Sequence, residues 1–354
     1  HTMCSSGTTG MPKASVWSSN DLIALVVRHL SPRLRLTPDD VAAGIAPAGT
    51  GSTGYVFPVL APLLIGATSA MLEHWSPQGA LDLIVRERAT YATAIPTQMV
   101  MLLGLDLEGA DLSAFQKFNN AGAPLSEKVA RELEQRMGCR VQSAYGATDG
   151  GVPVMTSVDD PDEKRWSTVG AICPGAEIRL VGPDGTDAPA GESGELCWRG
   201  PSKSYGYFNQ PDYDSVAFDA DGYFHSGDIG QFDEAGYLRI VGRTKDMILR
   251  GGTNIFPAEV EHLLGQHPSV AAVAVIGIPD ERLGERACAM VVPAPGTQPD
   301  LPELCRHLRD LQLATFKLPE QLIMVDSLPV NAGGKVDKAV LREHAVRELS
   351  RRVG

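Results

Sequence analysis

The chain has 354 residues, 43% hydrophobic and 21% charged, and a formal net charge of −12 from 31 Lys and Arg against 43 Asp and Glu. This places it among packed globular proteins of two or three domains and argues against a broad nucleic-acid-binding surface. No apolar run reaches the roughly 18 residues that span a bilayer, so no membrane partner is expected.

Near the start stands Ser5-Ser6-Gly7-Thr8-Thr9-Gly10-Met11-Pro12-Lys13, with four hydroxyls and two glycines ahead of one lysine. Glycines admit backbone N–H groups to an anion, hydroxyls donate and the lysine adds charge, so the stretch suits a polyphosphate. The same composition also makes a solvated turn, and the spacing is not that of a Walker A loop.

Apolar spacing of three and four predicts helices over 21–30, 77–89 and 126–137. Short apolar runs bounded by Gly or Pro predict buried strands over 41–46, 67–72, 91–95, 117–121 and 140–145. This alternation predicts α/β layers on a largely parallel sheet across residues 1–164. From residue 165 to 244, strands at 177–181, 194–199, 223–225 and 237–241 alternate with turn chemistry and read as a small antiparallel β unit. Residues 245–354 read as a small α+β domain. Its strands fall at 247–249, 270–276 and 287–292, and its helices at 257–266, 302–311 and 336–351. The domain boundary is placed at Thr244-Lys245. The six cysteines are scattered without a C-x-x-C pair, and the eight histidines show no metal-ligand spacing. No transition-metal centre or disulfide framework is expected, and a reducing cytoplasm is the expected setting.

Further motifs follow in order. Gly122-Ala123-Pro124 and Tyr145-Gly146-Ala147-Thr148-Asp149 end two predicted strands. Phe224-His225-Ser226-Gly227-Asp228 and Gly242-Arg243-Thr244-Lys245-Asp246 lie in and after the β unit. Arg250-Gly251-Gly252-Thr253-Asn254 comes next, and Pro329-Val330-Asn331-Ala332-Gly333-Gly334-Lys335-Val336 lies near the end.

With the opening loop, this series resembles the adenylate-forming superfamily, which includes acyl- and aryl-CoA ligases, adenylation domains of peptide synthetases and luciferases. The resemblance covers residue 5 to about residue 345. It implies a large α/β domain with a mixed sheet, only part of it in this chain, followed by a small mobile α+β domain. Relatives carry a further N-terminal region, so this chain is expected to be weakly active compared with a longer form.

The resemblance also implies roles. Ser6, Gly7, Thr8, Thr9, Gly10 and Lys13 would close over the ATP phosphates. Gly122, Ala123, Pro124, Tyr145 and Gly146 would hold adenine, an aromatic face suiting a purine. Thr148 would touch the α-phosphate and Asp149 would hold Mg²⁺. Asp228 would grip the ribose hydroxyls, with Arg243 beside it. Lys335 would be the catalytic residue, its ammonium stabilising charge that builds at the α-phosphorus. Lys245 would be the hinge, and Arg250, Gly251 and Gly252 would line the coenzyme A tunnel. Each of these residues also has an ordinary structural reading, as core tyrosine, surface ion pair or turn glycine.

Several positions depart from the family pattern, among them Ser226 in place of the commoner Thr and Thr50 where many relatives have His or an aromatic. Asp149 stands where relatives more often have Glu, and Gly51 stands where dihydroxybenzoate-activating relatives have Asn. The acyl pocket would be lined by Tyr55, Ile95, Pro96, Asn120 and Gly151. That apolar set with a few amides suits an aryl, alicyclic or medium-length acyl carboxylate. The implied reaction joins a carboxylic acid to coenzyme A with ATP. A stand-alone adenylation enzyme loading an acyl carrier protein and an inactive nucleotide-binding fragment are the alternatives. The oligomeric state is left open, a homodimer being one option.

Overall fold

The computed structural model describes residues 1–5, 13–47, 49–330 and 336–353. They divide into two compact units, His1–Ser226 with Gly230–Arg239, and Gly227–Ile229 with Ile240–Gly354.

The first unit opens on an antiparallel pair, β1 (Thr2–Ser5) with β2 (Lys13–Val16). Five parallel strands follow: β3 (Val41–Gly44), β4 (Thr68–Met71), β5 (Tyr91–Ala94), β6 (Lys117–Ala121) and β7 (Arg140–Ala147), lying in the order β4-β3-β5-β6-β7. The antiparallel strand β8 (Gly151–Met155) turns back on β7. The sheet continues through β9 (Gly170–Ile172), β10 (Glu177–Val181), β11 (Gly194–Arg199), β12 (Phe224–Phe232) and β13 (Tyr237–Arg243). The result is one mixed eleven-stranded sheet, β10-β11-β12-β13-β9-β8-β7-β6-β5-β3-β4.

Strands β5 and β6 are buried along their whole length, as parallel strands covered on both faces must be. On one face lie α1 (Ser19–Ala24), its π-helical continuation Leu25–Leu30 and a second π-helical segment, Ser52–Leu60. Helix α1 starts at a capping box in which Ser18 and Asp21 satisfy each other's backbone N–H. Leu25, Val26, Leu30, Val56 and Phe57 pack there against Ala121 and Ala144 of the sheet. On the other face α2 (Pro77–Arg86), α3 (Pro96–Leu103) and α4 (Glu127–Met137) bring Leu83, Ile84, Met99, Leu102 and Leu133 onto Phe118 of β6. Helix α2 has Pro at its first turn, and its cap, Ser76 Oγ, accepts the Gly79 N–H at 3.0 Å.

Two polar features interrupt this core. Thr93, Asn119 and Gln142 stand in register on β5, β6 and β7 and share one face. All three are buried, and their side-chain polar atoms have no hydrogen-bond partner among the described residues. At the amino ends of the same strands, Lys117 Nζ lies 2.8 Å from Asp40 Oδ1, with side chains only 11% and 6% exposed. Thr90 Oγ1 also donates to Asp40.

The second unit is built on a long antiparallel pair. Its elements in chain order are β14 (Ile248–Arg250), β15 (Thr253–Ile255), α5 (Pro257–Leu264), β16 (Val270–Asp280), β17 (Gly284–Pro293), α6 (Leu301–Asp310), β18 (Gln321–Met324) and α7 (Lys338–Val353). One edge of β17 pairs with β16; the other pairs antiparallel with β14 at Gly284 and parallel with β18 further along. Helices α5 and α6 cover one face through Val260, Leu264, Leu304 and Leu308. Helix α7 seals the other with Leu341 and Ala345 on Ile276 and Met290. The expected class, a large mixed-sheet α/β unit followed by a small α+β unit, is the one observed. No described helix is long and apolar enough to cross a membrane.

Burial pushes the Asp40 carboxyl up, but the bonds from Lys117, Thr90 and the Thr37 backbone outweigh it and hold the group below the ordinary carboxylate range. A depressed folded value stabilises above the unfolded value of about 3.9 and loses that contribution as pH falls. Asp40→Asn is therefore expected to cost about 3–5 kcal/mol at neutral pH, because it leaves Lys117 buried without its counter-charge. The penalty should shrink towards acid. Urea unfolding of both proteins across the acid range checks this, and a pH-independent difference would contradict it.

Candidate active site

In an open parallel sheet, the carboxyl ends of neighbouring strands form the crevice where ligands bind. Here Ile95-Pro96 leaves β5, Gly122-Ala123-Pro124 leaves β6 and the Tyr145–Asp149 segment ends β7. Asn120 Nδ2 donates to the Ala123 carbonyl at 3.1 Å and so shapes the turn after β6. Ile95 packs against that turn, its Cγ2 lying 3.4 Å from where a Cβ on Gly122 would sit. Tyr145 is half-buried, and the Trp198 ring meets its ring edge-on at 6.0 Å between centroids.

The turn from β7 into β8 leaves no room for side chains. A Cβ on Gly146 would lie 1.9 Å from the Gly151 carbonyl oxygen, and one on Gly151 would lie 1.7 Å from the Ser202 oxygen. A Cβ on Gly150 would meet the Trp198 ring at 2.3 Å, and Trp198 Nε1 donates to the Gly150 carbonyl at 2.6 Å. Thr148 and Asp149 are carried on this turn. Of the expected acyl-pocket set, Ile95 and Asn120 meet at Gly122–Pro124. Gly151 lies against Ser202, and Tyr55 lies in the π-helical segment packed on the core.

Three connections tie this turn to neighbouring segments. Ser15 of β2, fully buried, shares its one hydroxyl proton between the Met3 carbonyl at 2.9 Å and the Thr148 carbonyl at 3.2 Å. Ser204 Oγ donates to the Asp149 carbonyl at 2.6 Å. The Tyr207 hydroxyl donates to Asp149 Oδ2. Burial, followed by the Asp149 carboxylate, raises the Tyr207 phenol, so it stays protonated and acts as a donor. Lys13 Nζ sits 4.4 Å from the ring centre of Tyr213 and 5.4 Å from that of Tyr207. Lys13, Tyr207 and Asp149 thus form one chain of contacts. Ser6, Gly7, Thr8, Thr9 and Gly10 lie outside the described residues. Asp149 Oδ1 has no hydrogen-bond partner among the described residues, and a half-buried carboxylate with one oxygen to spare fits a Mg²⁺ ion that keeps most of its waters.

Sequence reasoning did not find Tyr207 or Ser204. Both come from the Ser204-Tyr205-Gly206-Tyr207 loop, about 55 residues beyond Asp149 in the chain. The only signal for them was two aromatics flanking a glycine.

In the second unit, Arg243 Nε lies 2.5 Å from Asp228 Oδ1, a charge contact whose N–H does not aim along a hydrogen bond. Burial, then the charge of Arg243, lowers the Lys245 ammonium. Arg250 is clamped by both oxygens of Glu320 at 2.9 and 3.0 Å. Gly251 and Gly252 are the two central residues of the β14–β15 hairpin, both at positive φ (56° and 82°), as a type I′ turn requires. These glycines therefore have a backbone reason independent of any ligand. Lys335 lies outside the described residues, between Val330 and Val336, which pair as an antiparallel bridge.

Comparisons with known proteins identify the family. The family model for AMP-binding enzymes matches residues 2–208, and that for the AMP-binding enzyme C-terminal domain matches residues 259–335. A medium-chain fatty-acid–CoA ligase of Escherichia coli K12 is 39% identical over 350 residues, 98% of this chain and 61% of the relative. An indoleacetate–CoA ligase of Aromatoleum aromaticum is 35% identical over 347 residues, 97% of this chain and 66% of the relative. The chain thus spans about three fifths to two thirds of the length of these relatives. Among solved structures, ATP-bound MatB from Rhodopseudomonas palustris superposes with a TM-score of 0.88 at 33% identity, covering 97% of this chain and 67% of MatB. With both family models matched over most of its length and a small α+β unit following the mixed sheet, the chain belongs to the AMP-binding, adenylate-forming enzyme family.

Proposed function

We propose that this protein activates a carboxylic acid with ATP and passes the acyl group to the thiol of coenzyme A. The observation that carries the reading is the gathering of Lys13, Thr148 and Asp149 around Tyr207 and Ser15 at the carboxyl end of β7. Beside them, at the ends of β5 and β6, lie Ile95 and Gly122-Ala123-Pro124. The names of several relatives, medium-chain fatty-acid–CoA ligase and indoleacetate–CoA ligase among them, support the same chemistry.

In the first step a carboxylate oxygen attacks the α-phosphorus of ATP, the bond to the β-phosphate oxygen breaks, and pyrophosphate leaves. Lys13 and the hydroxyls of Ser6, Thr8 and Thr9, with the Gly7 and Gly10 backbone, hold the β- and γ-phosphates. The Tyr145 ring and the Gly122–Pro124 backbone bracket the adenine, Asp228 accepts from the ribose hydroxyls, and Arg243 adds a fixed cation. Lys335 stabilises the charge developing on the α-phosphoryl oxygens. Mg²⁺ held by Asp149 would neutralise phosphate charge when bound. In the second step the sulfur of coenzyme A attacks the acyl carbon, the bond to AMP breaks, and the thiol proton passes to solvent. Arg250, fixed by Glu320, and the Gly251-Gly252 turn border the path of the thiol arm, and Lys245 serves as the hinge. The acid is an apolar acyl, alicyclic or aryl carboxylate, received beside Tyr55, Ile95, Pro96, Asn120 and Gly151.

ATP–pyrophosphate exchange with a panel of medium-chain, alicyclic and aryl acids tests this reading. Exchange with at least one is expected, and none from either this chain or a longer form would overturn it. Thioester formation with free coenzyme A, compared with an acyl carrier protein, then decides the acceptor.

Lys335→Ala is expected to lower exchange by about 10²–10³-fold while sparing thioester formation from supplied acyl-AMP. Equal loss of both half-reactions would refute the assignment. Tyr207→Phe removes the donor that orients Asp149. It should raise the Mg²⁺ concentration for half-maximal exchange by about 10- to 100-fold with little change in thermal midpoint. An unchanged Mg²⁺ profile would separate Tyr207 from the site.

A further inference from the structure

Among the described residues, one group of His, Cys and carboxylate side chains brings ligand atoms close enough together to hold a metal ion. Glu195 and Cys197 stand two residues apart on β11, so their side chains emerge on the same face. His225 approaches from the neighbouring strand β12. Its Nδ1 lies 3.3 Å from Cys197 Sγ and 3.3 Å from Glu195 Oε2, and the three ligand atoms all fall within 4.8 Å of one another.

Zinc bonds of about 2.3 Å to sulfur and about 2.0–2.1 Å to nitrogen and oxygen, at tetrahedral angles, set ligand atoms about 3.3–3.6 Å apart. The 3.3 Å spacings from Nδ1 to the sulfur and to the carboxylate oxygen fall at the lower edge of that range, and the sulfur lies within 4.8 Å of the oxygen.

The second observation is the support behind the imidazole. Nε2 faces Asp219 Oδ2 at 3.5 Å, while Asp219 Oδ1 accepts the backbone N–H groups of Asp221 at 3.0 Å and Tyr223 at 2.8 Å. Asp219 is thereby fixed behind the ring, and when it holds the proton on Nε2 the Nδ1 lone pair faces Cys197 and Glu195. A carboxylate behind a histidine in this way is the arrangement that orients imidazole ligands on zinc. Access is open, since the Glu195 and His225 side chains are 28% and 29% exposed while Cys197 closes the floor.

We propose that Glu195, Cys197 and His225 form a three-ligand site for a zinc-class divalent cation, oriented by Asp219 and completed by a solvent molecule. The mixed sulfur, nitrogen and oxygen set favours zinc or cobalt over Mg²⁺, which prefers oxygen alone. On binding, the Cys197 thiol proton is released to solvent and the sulfur bonds the metal as thiolate. The site is separate from Asp149 and does not depend on the proposed ligase reaction.

The test is titration of the metal-stripped chain with Co²⁺, read by optical absorption. One equivalent should produce a near-ultraviolet thiolate-to-cobalt band together with tetrahedral d–d bands. Zn²⁺ should abolish both and Mg²⁺ should leave them. Cys197→Ser, nearly isosteric, should remove the thiolate band, whereas Cys4→Ser, at the exposed cysteine, should keep it. Asp219→Asn should weaken Co²⁺ binding by about 10- to 100-fold while retaining the band at saturation. Absence of a band in the unsubstituted chain, its persistence in Cys197→Ser, or its displacement by Mg²⁺ would overturn the proposal.

Discussion

The turn between β7 and β8 is the constraint around which the first unit is arranged. Here the sheet changes from parallel to antiparallel; backbone meets backbone at Gly146 and Gly151, and the Trp198 and Phe224 rings press on Gly150, so none of the three has volume for a methyl group. Trp198 closes the turn from β11 by filling the space above Gly150 and bonding its carbonyl. Because the turn is clamped, Thr148 and Asp149 are presented by a rigid strand end rather than by a free loop. Such positioning suits the proposed phosphate and Mg²⁺ roles of Thr148 and Asp149, since small displacements of charged groups are expensive in rate.

Electrostatics reinforces that clamp. Tyr207 donates to Asp149 while its ring receives Lys13, so one aromatic side chain links the cation and the carboxylate without letting them neutralise each other directly. An ion pair between the two would have to be broken before either could take up the ligand role proposed for it. With the phenol interposed, each keeps part of its coordination capacity. Ser15 supplies the matching backbone link, joining β2 to the Thr148 carbonyl.

Much of the fold was legible because parallel strands buried on both faces appear as short apolar runs between Gly and Pro. All five parallel strands fall where those runs predicted. The misses have physical causes. The predicted helix over 21–30 opens into a π-helical turn at Leu25, and the apolar segment Ser52–Leu60, with Gly54 and Pro58 inside it, gives no helical period to detect. Helix α3 begins at Pro96, where a proline after an apolar run reads equally as a loop. Strand β18 is four residues long and gains its identity only by pairing with β17. At the site, the ordered motifs marked Tyr145–Asp149 and Asp228 through family resemblance. Composition alone could not reveal that Tyr207 and Ser204 fold back onto Asp149, because that contact depends on tertiary closure across about 55 residues. The Gly251-Gly252 pair carries two readings at once, because the hairpin turn demands glycine there whatever else the pair does.

The row formed by Thr93, Asn119 and Gln142 has a consequence of its own. Three amide or hydroxyl groups lie abreast beneath helical cover, desolvated and without protein partners among the described residues. Each such group detracts from folding by roughly 1–3 kcal/mol unless trapped solvent serves it. The sheet therefore holds an internal reserve of heat tolerance. A hydrocarbon layer of the same shape, such as valine for threonine and leucine for the amides, could release it.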